Sequence, residues 1–448
     1  MVAAFIAGCA APPPRAPADP LLYAYVVMGP EGRATARAIV SAATCPAIDL
    51  DGASAPMSVR APARLLSQRT GQAKASDFPV TVCEQALPAA TRRAAIGSRT
   101  LPLPKPAPSR IVVLGDTGCR LFAAPLYQAF QPCNQPALWP FRTVAAAAAA
   151  AKPDLVIHVG DYHYRESACP PGNAGCKGSP WGYGFDAWDA DFFDPARPLL
   201  AAAPWIVVRG NHETCDRAGQ GWWRTLDPRP LAPRQDCDDV ADDAIGNYSD
   251  PYAVPLGDGE RVVVFDSANA TNSPTPPAET VDRYRAQLAQ VLGAPSSPRT
   301  LFVAHHPPLA FAANGERPQE PYPGNVALQK ALLPQFGAAL LPPEVSAVLS
   351  GHIHAFEVVT FSTGQPPQFV FGDGGTAADA PLPVPFPTGR TPLSGATVRD
   401  LRYTIQFGFA TLDRTPSGWM LTAYDATGAP METCTLAARA ATCAPLAR

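Results

Sequence analysis

Six apolar runs of strand length recur between residues 108 and 354, and each ends in a polar cluster: "RIVVLGD", "PDLVIHVGD", "APWIVVRGNHE", "RVVVFDSAN", "RTLFVAHHPP" and "VSAVLSGHIH". A strand that is apolar on both faces must be covered on both, which restricts the chain to sheets lying between other layers. Between the runs lie the helix candidates "FRTVAAAAAAA", "AETVDRYRAQLAQVL" and "VALQKALLPQFGAAL", so strands alternate with helices in an α/β pattern. In such domains ligands bind beyond the carboxyl ends of the strands. All six polar clusters sit at that end of their runs, and one shared site is the natural outcome. After His354, "QFVFGDGG", "YTIQFGFATL" and "GWMLTAYD" read as strands that close the sheet system.

Upstream the texture differs. Residues 21–107 hold short apolar runs, "LLYAYVVM", "ARAIVSA" and "FPVTVCE", separated by "GPEG", "DLDG" and "KPAP", which predicts a small β-rich domain; "ATARAIVSAA" fits a helix equally well. No chemistry is visible in it, and the Pro-rich "LPLPKPAPS" reads as a linker. At 448 residues the chain is longer than one hydrophobic core usually serves. The expected organisation is therefore a terminal segment 1–20, a β-rich domain and linker 21–107, and a catalytic domain 108–448. No apolar run reaches the roughly 18 residues needed to span a bilayer. The net charge is −3 with acids and bases scattered, which gives no footprint for nucleic acid. The oligomeric state is left open.

The first residues, "MVAAFIAGCAAPPPRAPADP", resemble the end of a bacterial lipoprotein signal, with Ile6-Ala7-Gly8-Cys9 as its lipobox. Acylation of Cys9 would turn the Pro-rich stretch after it into a tether from a membrane surface. Only eight residues precede Cys9 and none is basic, so the reading places the true start upstream of Met1. Without Cys9 the 11 cysteines become ten, and these fall into neighbours: Cys45 and Cys83, Cys119 and Cys133, Cys169 and Cys176, Cys215 and Cys237, Cys434 and Cys443. Such clustering suits local disulfides in an oxidising compartment, although spacing alone leaves the connectivity open. The expected location is outside the cytoplasm, periplasmic or membrane-anchored.

The strand-end clusters contribute Asp116 in "GDTG", Asp161 and Tyr164 in "GDYHY", Asn211 and His212 in "GNHE", His305 and His306 in "AHHPP", and His352 and His354 in "GHIH". Carboxylate, amide oxygen, imidazole and phenolate suit iron, manganese, zinc or similar ions. Each cluster alone is weak, because an Asp after a strand is usually a turn or cap residue. Five of them, each after its own apolar run, are hard to explain as turns. In order, they resemble the five blocks of the calcineurin-like metallophosphoesterases, and more closely the purple acid phosphatase branch: GDxG, GDxxY, GNH[DE], an H-x-P block and GHxH. The resemblance covers roughly residues 108–412. It implies a metallophosphoesterase fold, a central pair of packed β-sheets flanked by helices.

The resemblance also implies two metals bridged by one carboxylate. Asp116, Asp161, Tyr164 and His354 would hold the first, and Asn211, His305 and His352 the second, with Asp161 shared. Many members of the wider superfamily carry a histidine ligand where this chain has Gly118, and Tyr164 falls where the purple acid phosphatases supply a replacement. A phenol with a pKa of about 10 ionises readily only beside a strong Lewis acid, so the expected pair is Fe(III) at the Tyr164 site with Fe(II), Zn or Mn at the second. H-x-P spacing selects His305 as ligand, whereas counting from Val303 selects His306; the reading takes His305 and leaves His306 as either a substrate contact or a residue that supports a ligand from behind. His212 would protonate the leaving alkoxide or stabilise its charge. Glu213 reads as a loop anchor, His158 as a core histidine, and His163 as either a phosphate contact or a loop residue.

The expected reaction is hydrolysis of a small phosphate ester, the metals orienting the phosphoryl group and acidifying the attacking water. A phosphomonoesterase is the main reading; a phosphodiesterase on the same core, including one acting on nucleotides, is the alternative. A non-catalytic surface lipoprotein is the alternative of another class. Specificity is expected in two insertions, residues 166–193 and 214–243, whose Trp and Tyr residues would wall the pocket.

Overall fold

The structure is a computed structural model that describes residues 19–125, 127–293, 299–314, 320–383 and 389–445. Cys9 and the lipobox expectation lie outside these residues.

The apolar runs form parallel strands in two sheets. Arg110–Leu114, Leu155–His158 and Trp205–Val207 are neighbours in a sheet of eleven strands. Glu260–Phe265, Arg299–Ala304 and Val345–Ser350 are neighbours in a sheet of seven. Strand alternation divides each run between two cores. Ile111, Val113, Ile157 and Ile206 meet Val262, Val264, Leu301, Val303, Ala347 and Leu349 between the sheets. Val112, Leu114 and Val156 face outward onto Phe141, Val144, Ala145 and Ala148 of the helix Phe141–Ala150. On the far side Val263, Phe265, Phe302 and Ala304 pack on the helices Ala278–Leu292 and Val326–Phe336. This helix–sheet–sheet–helix order is why the runs lack polar alternation.

The three helices fall where the sequence predicts them. Ala278–Leu292 has the expected bounds and buries Val281, Tyr284, Leu288 and Leu292, each worth about 1.5–3 kcal/mol of apolar burial. Val326–Phe336 starts at the Asn325 cap, whose side chain accepts from the Leu328 N–H, and stops short of the predicted residue 340. Gly337 at φ 58° ends it in the left-handed region.

Residues 21–107 are β-rich, and the first sheet crosses the boundary expected at residue 107. Leu21–Met28 pairs parallel with Trp205–Val207, and Ala34–Val40, Thr81–Leu87 and Ser58–Ala61 follow it outward. Ala47–Leu50, Ala53–Pro56, Ala94–Ile96 and Arg99–Thr100 make a small sheet of four. Buried arginines tie these strands to the second insertion: Arg37 donates to Thr225 O (2.9 Å) and Arg60 to Trp223 O (2.7 Å). Among the described residues, no tryptophan of the two insertions lines the cleft at the polar clusters. Trp188, Trp222 and Trp223 are buried in the outer core of the first sheet, because a large apolar ring gains more there than at a wet rim.

All five expected cysteine pairs are disulfides: Cys45–Cys83, Cys119–Cys133, Cys169–Cys176, Cys215–Cys237 and Cys434–Cys443. Three of them, Cys119–Cys133, Cys169–Cys176 and Cys215–Cys237, brace the loops that leave the first sheet toward the polar clusters.

Candidate metal centre

The polar clusters converge where the carboxyl ends of both sheets meet. Asp116 and Asp161 lie just beyond Arg110–Leu114 and Leu155–His158, and their loops are tied by Asp116 N–H to Gly160 O and Thr117 N–H to Asp161 O, both 3.0 Å. The sheets are joined directly, His352 N–H donating to Asp116 Oδ2 (3.0 Å); within the second sheet Gly351 N–H donates to His305 O (3.0 Å) and ties its two loops together. Asp116, Asp161 and His352 have φ of 54°, 57° and 72°. Three non-glycine residues held left-handed at one spot store backbone strain that the surroundings must enforce, as functional sites do.

Seven of the nine predicted residues form two touching groups. In the first, the Tyr164 hydroxyl lies 2.7 Å from Asp161 Oδ2, 3.0 Å from Asp116 Oδ1 and 3.0 Å from His354 Nε2. In the second, Asn211 Oδ1 lies 3.0 Å from His305 Nε2 and 2.9 Å from His352 Nδ1. Asp161 joins them, its Oδ2 being 3.2 Å from His305 Nε2. Asp161, His305 and His352 alone bring three ligand atoms within 4.8 Å of one another.

The other nitrogen of each imidazole fixes its tautomer. His305 Nδ1–H donates to Val159 O (2.9 Å), His354 Nδ1–H to Ala377 O (2.9 Å) and His352 Nε2–H to the Asn272 side-chain oxygen (3.0 Å). Each ring therefore turns a lone pair toward the groups just described. Lone pairs of two histidines, an amide and a carboxylate meet with no hydrogen between them. Such a gathering of acceptors is repulsive unless a cation or a proton sits among them. Asp116 and Asp161 are buried, and among the described residues no Lys or Arg forms an ion pair with either. Burial pushes the Asp116 carboxyl well up. Burial pulls the His305 imidazole down, but Asp161 and Asp116 outweigh it and raise it to about 9. The chain by itself meets the demand for positive charge with protons; the donor set fits metal ions, which supply it without them.

Gly118 shows why a phenol stands in the first group. A Cβ there would come within 2.8 Å of Asp191 Oδ2, Tyr162 O and Tyr164 N, so no side chain fits at that position. Burial, and then the Asp161 and Asp116 carboxylates, push the Tyr164 phenol well above 10. A phenolate here requires a cation beside it. Gly210 is equally constrained, since a Cβ would lie 2.0 Å from Asp161 Oδ1.

Of the two adjacent histidines the structure brings His305 into the cluster. His306 is buried with its Nδ1 3.2 Å from Ser267 Oγ and its ring 4.2 Å from that of His352. His212 faces a cleft of about 360 Å³ shared with Asp161, Tyr164, Asn211, His352 and His354. Its N–H donates to Asp161 Oδ1 (2.9 Å), its ring lies 3.8 Å from the Tyr164 ring, and its Nδ1 is 2.8 Å from Glu166 Oε1. Burial pushes Glu166 up, but Arg217 and His212 outweigh it and hold it at about 2, so it is a fixed anion behind His212.

Glu213 is the anchor expected of it, accepting N–H bonds from Gly210, Asp161, Tyr162 and His163 at 2.9–3.2 Å. His158 is a satisfied core residue: Gly160 N–H donates to Nδ1 (3.3 Å), and Nε2 lies 3.1 Å from Thr117 Oγ1. His163 is buried against Tyr183 and Trp188, and neither ring nitrogen has a partner among the described residues. Sequence reasoning missed Arg120, Glu166, Arg217, Asp191 and Asn272. Asp191 is buried and takes N–H bonds from Cys119 and Tyr164, clamping the first two blocks together. Glu166 stood in the motif's own tail, five residues after Asp161. Asn272 has no sequence signal at all.

No curated protein matches the chain in sequence. Among solved structures, the purple acid phosphatase PPD1 from yellow lupin (Lupinus luteus) seeds superposes with a TM-score of 0.53 at 16% identity, covering 91% of this chain and 72% of that one. PhoD superposes with a TM-score of 0.53 at 10% identity, covering 97% and 94%. At these identities the likeness is one of fold. The family model for calcineurin-like phosphoesterases matches residues 109–356, more than half of the chain and all five blocks. With those blocks gathered at the meeting edge of two sheets, the chain belongs to the calcineurin-like phosphoesterases, metal-dependent hydrolases of phosphoric esters.

Proposed function

We propose that the protein is an exported phosphomonoesterase with a two-metal site of the purple acid phosphatase kind. Asp116, Asp161, Tyr164 and His354 would hold one ion and Asn211, His305 and His352 the other, with Asp161 shared. The observation that carries this is the set of outward-fixed tautomers, which leaves lone pairs from both sheets pointing into one small volume. When bound, the metals supply charge neutralisation at the phosphoryl group and acidify an attacking water. The first site, with two carboxylates and a phenol, suits Fe(III); the second, with a neutral amide and two imidazoles, suits Fe(II), Zn or Mn.

The remaining work falls to the chain. His212, held from behind by Glu166 and Arg217, faces the cleft and assists the leaving oxygen. Asn272 and the carbonyls of Val159 and Ala377 keep the imidazoles turned the right way. Ala312, Ala313, Ile353 and Ala380 give the cleft a partly apolar wall for the ester's organic part. His306, placed behind His352, supports that ring. Five disulfides favour an oxidising compartment, and no helix among the described residues is long and apolar enough to cross a membrane. A tether through lipidated Cys9 would supply membrane attachment.

Metal analysis of the purified, reconstituted protein, joined to turnover of a phosphate monoester and a diester, tests the reading. Two metals per chain with faster monoester turnover supports it. Faster diester turnover would move the assignment to the phosphodiesterase alternative, and absence of both metals and hydrolysis would defeat the enzyme reading.

A further inference from the structure

We propose that Arg120 takes the third non-bridging oxygen of a terminal phosphate and so selects monoesters over diesters; the inference rests on the function proposed above. Arg120 lines the same cleft as Tyr164, Asn211, His212 and His354. Its guanidinium lies 4.8 Å over the Tyr164 ring, and its Nη2 is 3.5 Å from His354 Nε2. The backbone beneath it is fixed on both sides. Cys119 is bridged to Cys133 and its N–H donates to Asp191 (2.9 Å), while the Arg120 N–H donates to Gln131 Oε1 (3.0 Å).

The charge is what sets Arg120 apart. Three other arginines near the site each have a carboxylate: Arg165 has Asp191, Arg209 has Asp266 and Arg217 has Glu166. Arg120 forms no ion pair among the described residues. Stacking on Tyr164 occupies one face of the guanidinium, and apart from the Nη2 beside His354 its planar N–H edge is left toward the cleft. A half-buried fork without an anion, in a concave site, matches a phosphate oxygen in charge and geometry.

Counting oxygens turns this into specificity. A phosphate monoester has three non-bridging oxygens and a diester two. If a metal at each of the two groups takes one of them, only a monoester keeps one for Arg120. Asp379, a carboxylate on the same cleft whose Oδ2 accepts from His354 N–H (3.0 Å), disfavours further phosphates beyond the first. The fitting substrate class is a singly phosphorylated alcohol or phenol.

The test compares wild type with Arg120→Met, which keeps the stem over Tyr164 and removes the charge, and Arg120→Lys, which keeps the charge without the fork. The substrates are p-nitrophenyl phosphate and bis-p-nitrophenyl phosphate, and equilibrium dialysis gives the Kd for inorganic phosphate. Losing a charged hydrogen bond predicts a fall in monoester kcat/KM of about 10–100-fold in Arg120→Met, phosphate affinity falling in step. Diester turnover should change less than about threefold, both metals should stay bound, and Arg120→Lys should recover part of the monoester loss. Equal losses on both esters, unchanged phosphate affinity, or loss of a metal would overturn the assignment of Arg120. If wild type holds two metals and hydrolyses neither ester, the phosphomonoesterase reading fails, and the dialysis result still decides whether Arg120 binds phosphate.

Discussion

The two halves of the metal centre use the same scaffold and opposite chemistry. One half gathers Asp116, Tyr164 and His354 around Asp161; the other gathers Asn211, His305 and His352 around the same carboxylate. The first is rich in ionisable oxygen, the second in neutral donors. The difference teaches that two cations placed here would not be interchangeable: the first is neutralised by its ligands, and the second keeps more of its charge for the substrate.

The sharpest way to break this comparison is to remove what the halves share. Asp161→Ala should empty both sites and reduce turnover by about 10⁴-fold or more, read as metal content and kcat, since each metal supplies several kcal/mol. Retention of one metal would show that the halves are independent. Next, His212→Ala should lower kcat by about 10²–10⁴-fold with both metals retained; metal loss would show that its role is misassigned. Tyr164→Phe should abolish the visible charge-transfer colour of a ferric form and weaken the first site only. An unchanged spectrum would remove the phenol from the contrast. On the neutral side Asn272→Ala frees the His352 tautomer and should weaken the second metal by about 10–100-fold, leaving the first as it was.

The smallest expected effect comes from a buried carboxyl outside both halves. Burial pushes Asp373 up to about 7, and its Oδ1 has no partner among the described residues. A folded pKa above the unfolded one means that the folded state holds the proton more tightly. Its contribution is greatest below about pH 4 and is lost as the pH rises from there to 7. Asp373→Asn should flatten Tm against pH across that window, raising Tm by about 2 °C or more at pH 8. An unaltered slope would place the pH dependence elsewhere.

The site was legible because its residues follow strands whose apolar runs mark where each strand ends. Asp116, Asp161, Asn211, His305 and His352 each lie within a few residues of a strand end, and the five blocks could be read in order. Asn272 escaped because its role depends on a loop crossing from another strand to meet His352, which no local pattern encodes. Trp222 and Trp223 misled for a related reason: they sit in a Pro- and Asp-rich insertion that reads as a loop, yet the N-terminal strands cover them. The pairing of Val27 with Trp205 was equally invisible, because parallel partners far apart in sequence leave no turn signal between them.

That pairing has a consequence for how the protein is made. Leu21–Met28 emerges early in synthesis, but its partner Trp205–Val207 arrives only after the blocks that carry Asp116 and Asp161. Until then the hairpin with Ala34–Val40 carries an open edge, a template for pairing with the wrong strand. Docking it beside Trp205–Val207 closes the sheet next to the loop that carries Asn211 and His212. The earliest strand of the described chain therefore has a parallel partner that is delivered late, a non-local pairing of the kind that is slow to form.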